Sequence, residues 1–518
     1  MMSLKVKSTR FLGVLFLVVV GSLLWAAGLG YAPGIVWAAP SDMYGIYYVA
    51  PGGVCGSGYE PCFAEIQFAI DAADEVTDVI KIAAGVYTHT WASTAVPYPG
   101  TSLITQVVYL SKTLHVQGGY AVDAWETAYP LTQTSVVDAQ GRGRGIVIAG
   151  DVMPVFEGLH ITGGNAQGLK GGGGSHDAGG GGYIITASAT ISQCYIYGNE
   201  AQDGGGLYVV GADNLTLKAN RFESNHAGYA GGGLYLYRSA GDITQNTFFN
   251  NGAYSYGGGV FMFESYGPRL QMNTVISNYT EFLVGGGIVL NMGRADMIGN
   301  VISGNVAAGD GGGVNIYWGD GSTLVNNIIR TNRALNGGGI WINSSPSITL
   351  TNNLVADNYA EEHGAGIFVS DSRPLLRHTT LARNTGDAGL YVTYQSEPTL
   401  INTILVSHTR GITIAAGCTA TLEATVWGAG AWANGTDQSG AGTLFTGTVN
   451  LWVTPDFVAP ESGDYHLGEN SQAIDAGVNA GVAFDMDGDT RPTGAGYDIG
   501  ADEWVRGNRH IYLPLIIR

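Results

Sequence analysis

The stretch GYAGGGLYLYRSAGDITQNTFFNN, residues 228–251, holds a glycine triplet, a short alternating apolar run and two asparagines five residues apart. It is one copy of a repeat. Triplets begin at Gly204, Gly231, Gly257, Gly285, Gly311 and Gly337, with a degenerate version at Gly364, at intervals of 27, 26, 28, 26, 26 and 27 residues. A row of asparagines keeps the same step: Asn220, Asn246, Asn273, Asn300, Asn327 and Asn353. A second row follows five residues behind, at Asn225, Asn251, Asn278, Asn305, Asn332, Asn358 and Asn384.

After each triplet the chain alternates. Leu207, Leu234, Val260, Ile288, Val314, Ile340 and Ile367 fill the first slot, and Val209, Leu236, Met262, Leu290, Ile316, Ile342 and Val369 the third. Period-2 alternation is the mark of a strand with one face buried. Two further strand-like segments follow in each period, so each repeat is read as three short strands and three turns. A unit this small cannot bury its own inner face and must stack on its neighbours. The expected fold is therefore all-β: a right-handed parallel β-helix with one coil per repeat. Stacked asparagines would hydrogen-bond in ladders, and glycines would let coils approach at a turn. The triplet is not a phosphate loop, because neither G-x-x-x-x-G-K-[ST] nor a helix-opening G-x-G-x-x-G occurs.

Composition agrees. Glycine is 81 of 518 residues, yet 45% of the chain is hydrophobic, ample for a core. The net charge of −19 without any Lys/Arg cluster argues against a nucleic-acid partner.

The chain resembles the pectin-lyase-like superfamily of right-handed parallel β-helices. Its F-x-x-N units, Phe222 to Asn225 and Phe248 to Asn251, are similar to polymorphic outer-membrane protein repeats. The stretches YYVAPGGVCGSGYEPCFAEIQFAIDAA, VYLSKTLHVQGGY, FEGLHITGGNA and AIDAG…DMDGDTRPTGAGYDIGADEW resemble exported bacterial β-helix proteins of the choice-of-anchor Q type.

Five segments are expected. Residues 1–39 read as a signal peptide: Lys5, Lys7 and Arg10 precede an apolar run from Phe11 to about Leu29, and Val36 and Ala38 fit a cleavage site. The run is also long enough to stay as an uncleaved anchor, the one route to a membrane. Residues 44–103 hold an N-terminal cap and first coil, with Ile66, Ala69, Ile70 and Ala73 on one face of a short helix. Cys55 and Cys62 are placed for a disulfide, or stand as a free pair; Cys194 and Cys418 read as small buried hydrophobes. Residues 104–430 are repeats, giving roughly a dozen coils at about 4.8 Å each, with a mobile glycine-rich insertion at 168–183. The period fails after Trp427. Residues 431–510 form an acidic, turn-rich unit, and 511–518 a tail.

Chemistry is sought on the outer face. The outward slot beside the triplet reads Tyr208, Tyr235, Phe261, Val289, Asn315, Trp341, Phe368 and Tyr391, and a second outward slot adds Tyr237, Phe263 and Tyr317. An exposed aromatic strip marks binding, and ring-to-ring spacing by coil suits a glycan chain. The alternative is that the aromatics stack on one another for stability or lie under loops. Asp203, Asp310, Glu361, Glu362 and Asp387 lie near the triplet turns; Glu362 and Asp387, on neighbouring coils beside His363, are candidates for a hydrolytic carboxylate pair or are solvated turn residues. The superfamily's polygalacturonase and pectate-lyase motifs are missing. Asp485, Asp487 and Asp489 in DMDGDTRP suit calcium, the one cofactor considered, although the EF-hand template fails at Thr490 and Gly496; turn hydrogen bonds and an Arg491 ion pair are the alternative.

The resulting expectation is an exported, cell-surface or secreted protein that binds or adheres to polysaccharide without catalysis. A polysaccharide lyase or glycoside hydrolase, and a structural envelope spacer, stand as alternatives.

Overall fold

The computed structural model describes residues 45–74, 76–93 and 104–507. The expected signal peptide and the 511–518 tail lie outside the described residues, as do residues 94–103 of the first expected coil. The described chain winds into a parallel solenoid of about 12 turns with almost no helix. Both alternating slots point inward, and all fourteen of their residues are fully buried. Equivalent positions pair in unbroken register from coil to coil, as in Leu207↔Leu234↔Val260↔Ile288.

Each central coil holds four strands rather than three. In one coil these are Leu207–Val210, Leu215–Lys218, Arg221–Glu223 and His226–Ala230. The fourth forms a seven-stranded parallel sheet of its own between the second asparagine row and the triplet. Its inward residue is small (Ala201, Ala227, Ala253, Thr280, Ala307, Ala334, Ala360) and buried throughout. A strand this short with an alanine inside carries no apolar alternation to announce it.

Three corners of the coil are built alike. A residue in the left-handed region turns the chain, and the residue after it points inward. Ser224, Asn250 and Ser277, with φ of 51° to 55°, precede Asn225, Asn251 and Asn278; Ala219, Gln245 and Met272, with φ of 52° to 58°, precede Asn220, Asn246 and Asn273. Left-handed geometry costs a non-glycine residue about 1–2 kcal/mol, and the ladder behind it offsets that cost. Asn278 shows the pattern. Its Oδ1 accepts from the backbone N–H of Asn251 at 2.9 Å and from Asn251 Nδ2 at 3.0 Å. Its Nδ2 donates to Phe248 O at 2.9 Å and to Asn305 Oδ1 at 3.0 Å. Both donors and both lone pairs are used. The third corner uses serine: Ser239, Ser265, Ser345, Ser372 and Ser396 are buried and accept backbone N–H groups across coils.

The second row is interrupted once by a residue other than asparagine. His408 takes the place after Asn384. Its Nδ1 accepts the Asn384 N–H at 3.2 Å and its Nε2–H donates to Leu381 O at 3.2 Å, so a neutral imidazole reproduces the amide's pattern. Asn434 resumes the row, accepting the His408 N–H at 3.0 Å. Complete burial lowers the His408 pKa to about 4.

The triplet glycines differ in their reasons. Gly231 has φ +70°, whereas a Cβ on Gly232 would stand 2.3 Å from the carbonyl oxygen of Gly252 in the next coil. The 168–183 insertion is not the mobile loop expected. Arg144, fully buried, donates to the carbonyls of Ala178 at 2.7 Å and Lys170, and the Asp177 carboxylate accepts the N–H groups of Gly168 and Lys170, both at 2.8 Å. The solenoid also outlasts Trp427. Thr436–Ser439, Thr443–Thr446 and Asn450–Leu451 add a coil in parallel register, built of polar residues that hide the period.

Near the start, the short helix Ile66–Ala72 buries Ile66, Ala69 and Ile70, and Ala73 follows them into the core. Lys112 Nζ donates to the carbonyls at its C-terminal end, at 2.6 Å to Ala73 O. Cys55 and Cys62 form a disulfide, and Cys194 and Cys418 are buried free thiols. Residues 457–504 pack along the flank of the last coils: Tyr465 Oη donates to Asp357 at 2.6 Å, Asn402 Nδ2 to Val478 O at 2.7 Å, and Ala501 N to Thr380 Oγ1 at 3.0 Å. Among the described residues no helix is long and apolar enough to cross a membrane.

Asn278→Ala strands Asn251 donors and the Phe248 carbonyl in the core, and should lower stability by about 3 kcal/mol or more, read from the denaturant midpoint. His408 stays neutral in the fold while the unfolded chain takes up a proton below about pH 6.5. Its contribution is complete above that pH and is lost as pH falls toward 4. His408→Asn should remove that acid sensitivity, measured as the difference in midpoint between pH 7 and pH 4.

Candidate functional site

The outward slot beside the triplet is not the exposed strip that alternation suggests. Tyr208, Tyr235, Phe261 and Phe368 are 1%, 6%, 3% and 9% exposed, while Trp341 and Tyr391 are half-buried. The segment before each triplet lies over the strand after it. Tyr256 stacks on Phe261 with ring centroids 5.6 Å apart, Tyr183 Oη donates to Gly171 O at 2.9 Å, and Ala178 and Ala230 join the same apolar cluster. The rings also contact one another: Tyr208 and Tyr235 are 4.9 Å apart, Tyr235 and Phe261 4.7 Å, Trp341 and Phe368 6.3 Å, and Phe368 and Tyr391 5.4 Å. This row is a second core outside the sheet.

The accessible surface begins three residues further on, at the corner that ends each of these strands. Here the left-handed residues Arg238, Glu264, Met292, Trp318, Ser344, Asp371 and Tyr394, with φ of 45° to 53°, stand one per coil. Their N–H groups bond the next coil in sequence, as in Arg238 N–H to Phe263 O and Trp318 N–H to Asn343 O. Six coil steps make the row about 29 Å long. The second outward slot borders it. Tyr237 stacks on Phe263 at 5.7 Å, Arg238 lies 4.9 Å over the Tyr237 ring and pairs with Glu264, and Tyr317 stacks on Trp318 at 4.2 Å.

Two open grooves follow this corner. One, of about 560 Å³, is lined by Arg238, Glu264, Tyr266, Met292 and Trp318. The other, of about 480 Å³, is lined by Asn343, Ser344, Ser370, Asp371, Tyr394 and Gln395. Tyr266 and Tyr394 are 70% and 72% exposed and Trp318 is 44% exposed. Aromatic faces therefore meet solvent beside carboxylate, guanidinium, amide and hydroxyl groups. A model of the right-handed β-helix region matches residues 132–302 and 285–429, more than half of the chain. The chain belongs to the right-handed β-helix family.

Among solved structures, this β-helix is similar to pectate lyase Pel9A, at 14% identity and a TM-score of 0.36 over 88% of this chain and 96% of that one. It is also similar to the periplasmic alginate epimerase AlgG, at 12% and 0.36 over 78% and 83%. The A-module of the Azotobacter vinelandii mannuronan C-5 epimerase AlgE6 follows, at 15% and 0.29 over 74% and 94%. No curated protein matches the chain.

On the β-helix, the carboxylates near the triplet turns have separate surroundings. Asp203 is 2% exposed, with Oδ2 3.2 Å from His176 Nδ1. Burial pushes its pKa up to about 7, against the opposing pull of His176. Asp310 is held by Asn336 at 2.9 Å; burial raises its pKa, Asn336 opposes this, and the charge of Glu362 adds to the rise. Asp387 is buried and engaged by Arg410 and by His363 Nδ1 at 3.3 Å. The exposed Glu362 thus acts on Asp310, while Asp387 is occupied from its other side by Arg410. The DMDGDTRP aspartates divide as well. Asp485 accepts the N–H groups of Asp487, Asp489 and Glu503, which uses it to shape the loop. Arg491 forms a fully buried ion pair with Glu503 at 2.6 Å. His466, about 20 residues before this motif and outside any ligand spacing, lies 2.8 Å from Asp487.

In the fold Asp203 keeps its proton to about pH 7, whereas the unfolded chain has released it by about pH 4. This group therefore withdraws stability as pH rises across that window. Asp203→Asn should gain on the native protein from pH 4 to pH 7 and hold a constant margin above it, measured by denaturant unfolding at each pH.

Proposed function

We propose that this β-helix is a non-catalytic carbohydrate-binding protein that holds an extended polysaccharide along the corner from Arg238 to Tyr394. The observation that carries the reading is the solvent-facing pair Trp318 and Tyr394, in coil register with Glu264, Ser344 and Asp371, together with the exposed Tyr266 two residues beyond Glu264. Flat aromatic faces suit the apolar faces of sugar rings, and the flanking polar groups suit their hydroxyls. A row that repeats once per coil suits a polymer better than a compact ligand. The aromatic residues that contact the glycan are those of this corner, and the buried Tyr208 row supports the wall beneath them.

Export to the cell surface or medium belongs to the same reading, supported by the Cys55–Cys62 disulfide. So do kinship with choice-of-anchor Q type proteins and an end-covering role for the helix Ile66–Ala72. A polysaccharide lyase or hydrolase is a second reading, favoured by Asp203, an acid poised near neutrality beside His176. Against it, the 168–178 loop packs on that carboxylate: a Cβ on Gly172 would stand 2.6 Å from Asp203 Oδ2.

Calorimetry against uronate and neutral oligosaccharides tests the proposal. Trp318→Ala and Tyr394→Ala should each weaken binding about tenfold, or about 1.4 kcal/mol, without moving the melting temperature. Tyr208→Ala should lower the melting temperature instead. Unchanged affinity in both corner variants overturns the proposal, absence of any binding leaves a structural spacer, and release of shorter chains establishes the catalytic reading.

A further inference from the structure

The cluster around His466 lies outside the corner described above. His466, Asp487 and Asp502 each bring one ligand-type atom to within 4.8 Å of the others. His466 is buried, and its two ring nitrogens face different partners. Nδ1 is 2.5 Å from Asp464 Oδ1, and Nε2 is 2.8 Å from Asp487 Oδ2. Asp502 is 4% exposed. Its Oδ2 accepts the Leu467 N–H at 2.7 Å, while its Oδ1, fully buried, has no hydrogen-bond partner among the described residues. A buried carboxylate oxygen without a donor is costly unless something positive meets it.

We propose that His466 Nε2, Asp487 and Asp502 form a binding site for one divalent transition-metal ion, with Asp464 as the partner that orients His466. The arrangement is that of a metal-bound imidazole: a carboxylate holds the Nδ1–H, which fixes the tautomer and leaves the Nε2 lone pair for the ion. Two ligands about 2.1 Å from a common ion are about 3.0 Å apart at the right angles of octahedral coordination and about 3.4 Å apart in tetrahedral coordination, so the 2.8 Å between His466 Nε2 and Asp487 Oδ2 is near the octahedral spacing and widens around a tetrahedral ion. Asp502 Oδ1 supplies the third position. One imidazole with two carboxylates suits zinc, manganese or ferrous iron. Calcium takes six to eight oxygens, and of the fully buried carboxylates nearby Asp485 is committed to backbone N–H groups and Glu503 to Arg491.

A cavity of about 320 Å³ adjoins the cluster, with Asp464, His466, Leu467, Asp502 and Trp504 among its lining residues. Three protein ligands leave coordination positions open toward it, so the bound ion would be reachable by water or by a small oxygen-donor ligand. The site stands on the 457–504 segment, and its existence does not depend on the carbohydrate reading.

The experiment uses the full chain stripped with chelator and titrated by calorimetry with zinc, manganese and calcium chlorides in turn. The expected result is one equivalent of zinc or manganese, with calcium at least tenfold weaker. Cobalt should bind in the same stoichiometry and give visible absorption bands. Asp502→Asn, close in shape, should weaken uptake at least tenfold, and Asp464→Asn about 10–100-fold. Circular dichroism and melting of each variant check that the fold persists. If either variant fails to fold, metal content and the cobalt spectrum of the native chain decide. No saturable uptake by the folded native chain overturns the site, and in that case a proton on His466 closes the cluster. Undiminished uptake by a folded Asp502→Asn variant overturns it equally.

Discussion

Everything in this molecule depends on a buried amide that hydrogen-bonds along the rod axis. Each ladder asparagine ties its own coil to the coils before and after it, and it does so directly behind a left-handed corner residue that would otherwise be unfavourable. The corner places the amide, and the amide holds the corner. Because the bonds run between equivalent residues, they fix coil-to-coil register as well as stability. A slip by one residue would turn every inward side chain outward and would break both asparagine rows at once.

Fixed register is what gives the outer surface its order. Side chains at one position of successive coils line up without contacting each other through any loop, so a row such as Arg238 to Tyr394 is as straight as the ladder behind it. The wall beneath is stiffened twice, by the aliphatic interior and by the external cluster of Tyr183, Tyr208, Tyr235 and Phe261. Aromatic residues therefore serve two ends on the same face. Those next to the triplet consolidate the wall, and those at the following corner meet solvent.

The division between legible and illegible features follows from what periodicity encodes. The triplets, both asparagine rows and the two inward slots recur from coil to coil through the central repeats under the same packing demand, so each could be read directly. The serine row escaped because Ala212 precedes it and Gly293 and Gly319 interrupt it. The fourth strand escaped because Ala227 or Ala253 inside a two- to five-residue strand leaves no alternating signal. Alternation assigned Tyr208 and Tyr235 to the outer face, which is right, but it carries nothing about what lies on top of them; that depends on the path of the segment before the triplet. Likewise Asp485, Asp487 and Asp489 look equivalent in the sequence, and only the fold commits the first to backbone N–H groups and turns the second toward His466.

The ladder also has a direction. Through Asn225, Asn251 and Asn278 the backbone N–H and one Nδ2–H point toward the C-terminal neighbour, the other Nδ2–H reaches back to a carbonyl of the preceding coil, and the Oδ1 receives from the N-terminal neighbour. No single amide can flip, because its neighbours and the backbone would then present donor to donor. Aligned amide dipoles add along a line, and neighbouring bonds polarise one another in the same sense. Each column is thus a vector rather than a symmetric line, and the ends of the second row are taken up within the fold: Asn199 Oδ1 accepts the Gly164 N–H at 2.8 Å, and Asn434 Nδ2 donates to the Leu405 and Trp427 carbonyls, both at 2.9 Å.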